Sequence, residues 1–177
     1  MLSNLVMTII GPDRPGLVES LASSIAAHGG NWLESRMGHL GGQFAGILRV
    51  QVDEVSVEAM IDALRKLESQ ELNVVVNRGT PPGSTGGAGD ALKLEVIGHD
   101  RPGIVSEITR VLADFRANVE ALETERASAP MSGEMLFQAR ARIVLPSGCR
   151  KEEVRERLEE IASDLMVELR LESDLPA

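Results

Sequence analysis

Gly11-Pro12-Asp13-Arg14-Pro15-Gly16-Leu17-Val18 recurs as Gly98-His99-Asp100-Arg101-Pro102-Gly103-Ile104-Val105. Each copy follows a short apolar run and opens an apolar stretch of helical period. An Asn stands at the same distance downstream of both, at Asn31 and Asn118. An offset held over so many positions marks an internal repeat, and a repeat decides the architecture before any single element does. The 177 residues therefore read as two copies of one small module. Each has roughly 75–85 residues, close to the lower size limit for independent stability. The expected division is a first module at 1–79, a Pro/Gly linker at 80–90 and a second module at 91–177.

Outward from the first copy, residues 2–10 are apolar and partly β-branched and predict a strand that Gly11 and Pro12 end. Asp13 and Pro15 suit a helix start, Asp as a cap and Pro in the first turn. Leu17, Val18, Leu21, Ala22, Ile25 and Ala26 share one helical face. His28-Gly29-Gly30 stops it. Residues 31–40 and 44–52 predict a hairpin around Gly41-Gly42. Ser56 is a candidate cap for a second helix, with Val57, Met60, Ile61, Leu64 and Leu67 on its buried face, and residues 72–77 predict a fourth strand. The order β-α-β-β-α-β is the split βαβ or ferredoxin-like plan, an α+β class with antiparallel sheets and the helices on one face.

The Pro/Gly-rich composition of the linker marks a flexible segment, stiffer at Pro81-Pro82. The pattern then restarts, with strands at 92–97, 118–126, 134–145 and 166–171. A helix over 102–115 carries Ile104, Val105, Ile108, Val111, Leu112 and Phe115, and a last helix carries Val154, Leu158, Ile161 and Leu165. Glu153 and Arg157 are placed to pair at i, i+4 on that helix. The hairpin at 127–133 is longer than its counterpart, so the copies differ most there. Open sheet edges need cover, which predicts an eight-stranded arrangement of the two modules and a possible homodimer.

Composition narrows the function. Aromatic residues are few (Trp32, Phe44, Phe115 and Phe137, with no Tyr), too few for base-stacking platforms. A net charge of −9 argues against a direct nucleic-acid face, which needs a basic patch. Arg140, Arg142, Arg150 and Lys151 are the only candidate cluster and read as a solvated surface. Cys149 is the only cysteine, so no disulfide or thiolate metal site is expected. No leader pattern or membrane span is legible, and the expected location is cytoplasmic. His28, His39 and His99 lie apart without metal-ligand spacing. Ser20, Ser23 and Ser24 sit within a helix rather than on a nucleophile turn. Gly83 to Gly89 does not lead into Lys-Ser/Thr, Met131 and Met135 line a hairpin or interface, and the Glu pairs 152–153 and 159–160 belong to an exposed face. The expectation is no catalytic set, no metal and no cofactor.

The repeated loop runs from a strand end to a helix N-terminus, where free N–H groups and partial positive charge favour a carboxylate or phosphate. Gly16 and Gly103 either let a ligand approach the backbone or serve tight packing. Asp13 and Asp100 either cap the helix or accept a hydrogen bond from a ligand ammonium. Asn31 and Asn118 offer a donor and an acceptor, or are turn residues. Amides for a carboxylate and Asp or Asn for an ammonium make an α-amino-acid site one reading of this set.

The Gly-x-Asp-Arg-Pro-Gly loop, the downstream Asn and the β-α-β-β-α-β order resemble the ACT domain, in two copies over nearly the whole chain. A stand-alone tandem pair, with Ser35-Arg36-Met37 leading to Leu40-Gly41-Gly42-x-Phe44, is similar to the glycine cleavage system transcriptional repressor family. The resemblance implies a small-molecule amino-acid partner (glycine or similar) and a protein partner such as a transcriptional activator. It implies no direct DNA contact and no enzyme activity of the chain's own; the alternative is an accessory subunit that regulates a metabolic enzyme in trans. By the wider family's pattern the ligand lies between the loop of one module and the strand start of its neighbour. That assigns Asp13, Arg14, Gly16 and Leu17 with Asp100, Arg101, Gly103 and Ile104 to the loops, and Asn31 and Asn118 to the strand starts.

Overall fold

The structure, a computed structural model, describes residues 1–67, 71–79, 89–129 and 133–174. The chain forms two compact units, Met1–Thr85 and Gly86–Ala177. The first runs β1 (Leu2–Pro12), α1 (Leu17–Ala27), β2 (Asn31–Leu40), β3 (Gln43–Asp53), a 3-10 turn (Glu54–Ser56), α2 (Val57–Arg65) and β4 (Asn73–Arg78). The second runs β5 (Asp90–His99), α3 (Ile104–Asp114), β6 (Asn118–Ser128), β7 (Met135–Leu145), α4 (Lys151–Leu165) and β8 (Val167–Ser173). Both follow the expected β-α-β-β-α-β order. Each unit forms a four-stranded antiparallel sheet, ordered β2-β3-β1-β4 in the first and β6-β7-β5-β8 in the second. Of the expected linker, 80–88 lies outside the described residues, as do Met131 and the hairpin tip at 130–132. Asp90, placed in the linker from sequence, already opens β5.

Alternation along the central strands sorts the two faces of each sheet. Leu5, Met7 and Ile9 point inward from β1 and meet Leu21 and Ile25 of α1 and Met60 and Leu64 of α2. Leu92, Leu94 and Val96 play the same part in β5, against Ile108 and Leu112 of α3 and Val154 and Leu158 of α4. Intervening side chains such as Thr8, Ile10 and Glu95 face out. Burying each such aliphatic side chain contributes about 1.5–3 kcal/mol. Among the described residues every buried side chain is apolar, so packing rather than a buried polar network holds each module.

Several local details follow from backbone chemistry. Gly41 and Gly42 join β2 to β3 with φ of 59° and 78°, the two-residue hairpin turn their sequence predicts. A bulge interrupts β2 between Trp32 and Glu34 and recurs in β6 between Val119 and Ala121. The repeat thus preserves even an irregularity that its hydrophobic pattern does not announce. Ser56 precedes α2 as expected but makes no side-chain cap, because the 3-10 turn carries the chain into the helix. The anticipated Glu153–Arg157 pair is replaced by Arg150–Glu153 and Arg157–Glu160 at i, i+3.

Arg78 at the end of β4 grips Glu54 through two hydrogen bonds of 3.1 and 2.6 Å, and the Ser3 hydroxyl donates to the same carboxylate. The Arg78 guanidinium first, then Ser3, holds the Glu54 carboxyl at about 2. A carboxyl depressed on folding adds stability above its unfolded value and loses it as pH falls through the folded one. The first unit is expected to weaken between about pH 4.5 and pH 2, and Arg78→Ala is expected to flatten that acid limb in equilibrium unfolding. The two separate cores give a second expectation. Leu158→Ala, in the core of the second unit, is expected to lower the stability of that unit by about 2–5 kcal/mol, read as faster amide exchange in α3 and α4.

Candidate functional site

Each strand-to-helix loop turns on a glycine. Gly16 has φ 89° and ψ −2°, and Gly103 has φ 96° and ψ −11°, the left-handed region that other residues enter only at a cost. A β-carbon at either position would meet nothing within 4 Å. These glycines therefore serve backbone conformation, not tight packing. The helices begin just after them, at Leu17 and Ile104, so Pro15 and Pro102 lie before the first turn rather than within it.

Neither helix start carries a side-chain cap. The capping role open to Asp13 and Asp100 is not taken up, because both are held elsewhere. The Asp13 N–H donates to the Gly42 carbonyl at 2.9 Å, and its carboxylate lies 3.7 Å from Nε2 of His39. In the second unit the Asp100 N–H donates to Met135 at 3.1 Å, and its carboxylate pairs with Nε of Arg126 at 2.6 Å. Glu19 and Glu107 stand in the first turns, but they engage Ser23 and Arg110 instead of reaching back. The first-turn amides of α1 and α3 are thus uncapped by side chains beside an exposed loop, and such amides suit an anionic group.

The sequence-assigned residues separate into two sets. Asp13, Arg14, Gly16 and Leu17 gather in the first loop, and Asp100, Arg101, Gly103 and Ile104 in the second. Leu17 and Ile104 are buried at 6% and 2% exposure, which anchors the helix start and leaves only their backbone to meet a ligand. Arg101 donates to the Asp164 carbonyl in the last turn of α4, where a cation complements the helix dipole. Arg14 is also engaged within the protein. Asn31 and Asn118 are not brought to the loop of their own module. Asn31 aligns with Gln51 and Asn4, whereas Gly11 aligns with Phe44. Asn118 aligns with Val144 and Ala91, whereas Gly98 aligns with Phe137. In both units the Asn lies at the far end of the central strand from the loop, roughly 23 Å away at a strand rise of about 3.3 Å. A helix of 11 residues climbs about 16 Å, and that is what carries the Asn away.

His39, weighed from sequence only as a metal ligand, and Arg126, not named at all, are the partners of the two Asp residues. They occupy equivalent places at the ends of β2 and β6, so aligning the two copies beyond the motif would have found them. The candidate basic cluster is also accounted for. Arg140 faces Glu125 at 3.8 Å, Arg142 reaches Asp174 at 2.8 Å, Arg150 pairs with Glu153, and Lys151 donates to Ser173. Burial pushes the Cys149 thiol up, away from a reactive thiolate. Among the described residues no group of three or more His, Cys, Asp or Glu is arranged to hold a metal ion, and no helix is long and apolar enough to cross a membrane.

One ACT-domain family model matches residues 3–77, and a second ACT-domain model matches residues 93–143. The ACT domain-containing protein ACR3 of Arabidopsis thaliana is 35% identical over 89 residues, covering 47% of this chain and 20% of that protein. The chain thus spans about a fifth of the length of that relative. A crystal structure of a protein of unknown function from Galdieria sulphuraria has a TM-score of 0.83 at 28% identity, covering 99% of this chain and 100% of that one. The crystal structure of a candidate glycine cleavage system transcriptional repressor has a TM-score of 0.72 at 20% identity, covering 99% of both chains, a likeness of fold.

The glycine geometry is directly testable. Gly103→Ala or Gly16→Ala is expected to cost about 1–2 kcal/mol of stability from the left-handed conformation alone. Gly38→Ala, where φ is ordinary and the space is open, is expected to be near neutral. Urea unfolding of the three variants checks the contrast.

Proposed function

The chain belongs to the ACT-domain family, with two such modules in tandem, and from that premise we propose that it is a regulatory protein that binds a small amino acid and acts through contacts with another protein. The observation that carries this reading is the twice-built loop. An exposed turn at a left-handed glycine delivers first-turn amides that no side chain caps. A ligand carboxylate supplies the missing acceptors and meets the positive end of the helix dipole. Asp13 suits a ligand ammonium better than Asp100 does. Its partner His39 is a cation only when protonated, whereas Arg126 keeps the Asp100 carboxylate neutralised.

The finer role we propose is a repressor-type regulator of glycine cleavage or one-carbon metabolism in the cytoplasm. It would oppose a transcriptional activator by binding the activator rather than DNA. The likeness in fold to the candidate repressor along the whole chain supports this role. So does the charge of −9, which disfavours a direct phosphate contact.

Isothermal titration of the full chain with each of the common amino acids tests the binding step. At least one is expected to bind saturably with Kd below about 1 mM, roughly −4 kcal/mol, and Gly16→Val with Gly103→Val is expected to weaken it tenfold or more. Silence with all of them at about 10 mM would remove the amino-acid reading. Capture of partners then separates the roles: a transcription factor supports the repressor, and a metabolic enzyme in its place points to an accessory subunit.

A further inference from the structure

The two modules differ in the layer between the first helix and the outer strand. In the first, Trp32 and Met37 of β2 pack onto the core beside α1, and Met37 lies against Gly46 so closely that a β-carbon there would sit 2.5 Å from its Cγ. The equivalent places in β6 hold Val119 and Thr124, and the β7 places matching Gly46 and Leu48 hold Ala139 and Ala141. Exchanging Trp, Met and Leu for Val, Thr and Ala removes more volume than Gly-to-Ala, Ser35-to-Leu122 and Ala22-to-Thr109 restore. Protein interiors do not ordinarily leave such space unfilled.

The result is an apolar cavity of about 20 Å³ between α3, β6 and β7. Its helix wall is Val105 and Thr109, its strand walls Val119, Leu122, Ala139 and Ala141. That size holds roughly one water-sized group, but the walls offer a water little to hydrogen-bond. A methyl group fits it, and an aromatic ring does not. Val105 and Leu122, 38% and 45% exposed, leave hydrocarbon at the mouth for a second methyl. Val105 also belongs to the uncapped first turn of α3, so the cavity opens beside the loop described above.

We infer that this cavity receives the branched end of a free aliphatic amino acid such as leucine or valine, so that the second module selects a side chain larger than that of glycine. The inference rests on the amino-acid reading and sharpens it, naming the module and the ligand class. A compact occupant follows from the small volume of the cavity, which takes the end of one aliphatic side chain and no length of helix or extended peptide.

Isothermal titration of the full chain with leucine, valine and glycine, on the original protein and on Ala141→Leu and Val119→Trp, provides the test. Both substitutions install the bulk that the first module carries at the same places, and far-UV circular dichroism establishes which of them folds. The expected result is binding of leucine or valine at least tenfold tighter than glycine, lost by tenfold or more in either folded variant. Glycine binding as tightly as leucine would overturn the inference and leave the amino-acid reading standing. Undiminished leucine binding in a folded variant would likewise overturn it, because the cavity would not be the site. No binding of any amino acid would overturn both.

Discussion

Four glycines, two in each copy of the motif, set the geometry on which the rest of each module depends. Gly11 and Gly98 let the last strand come close. A β-carbon at Gly11 would sit 2.6 Å from the Glu71 carbonyl, and one at Gly98 2.7 Å from that of Met166. Gly16 and Gly103 answer a different demand, since their positive φ turns the chain from strand to helix within a few residues. That turn sends the helix back across the inner face, where its apolar stripe meets Leu5, Met7 and Ile9, or Leu92, Leu94 and Val96. The same turn leaves the helix start at the surface with amides that no side chain takes. Fold and candidate site therefore share one cause.

Much of this was legible in the residues. The fixed offset between the copies carried the tandem organisation, and alternation along 2–10 and 92–97 carried the inward faces. Gly41-Gly42 carried the hairpin that β2 and β3 form. What the residues did not disclose was three-dimensional reach. Asn31 follows Gly16 closely in sequence, but the intervening helix takes it to the opposite end of the sheet. The rise of that helix is therefore what keeps a loop and the Asn of the same module from sharing one site. The Asp residues were ambiguous for a related reason: their partners, His39 and Arg126, approach from strands distant in sequence. The paired bulges in β2 and β6 also escaped, because a single extra residue leaves no mark in a short alternating run.

The copies have diverged where a repeat is free to do so. Their cores keep the same layout with exchanged aliphatic residues, as volume and patterning demand. Their loops keep both glycines and the Asp. The side chains that meet the Asp have changed from an imidazole to a guanidinium, and the outer strand has lost Trp and Met bulk in the second copy. A conserved backbone device with different side chains around it is the expected outcome when two similar sites come to prefer different ligands, or when one site stops binding.

In the proposed site the uncapped first-turn amides of α1 or α3 hold the ligand's carboxylate. Amide chemical shifts of Leu17, Val18, Ile104 and Val105, followed by nuclear magnetic resonance during titration with the amino acid that binds, address it most directly. At least one of these pairs is expected to move with ligand occupancy and to be among the largest responses in the chain, because a new acceptor changes those N–H groups first. Saturable binding that leaves all four unmoved while amides elsewhere respond would contradict it.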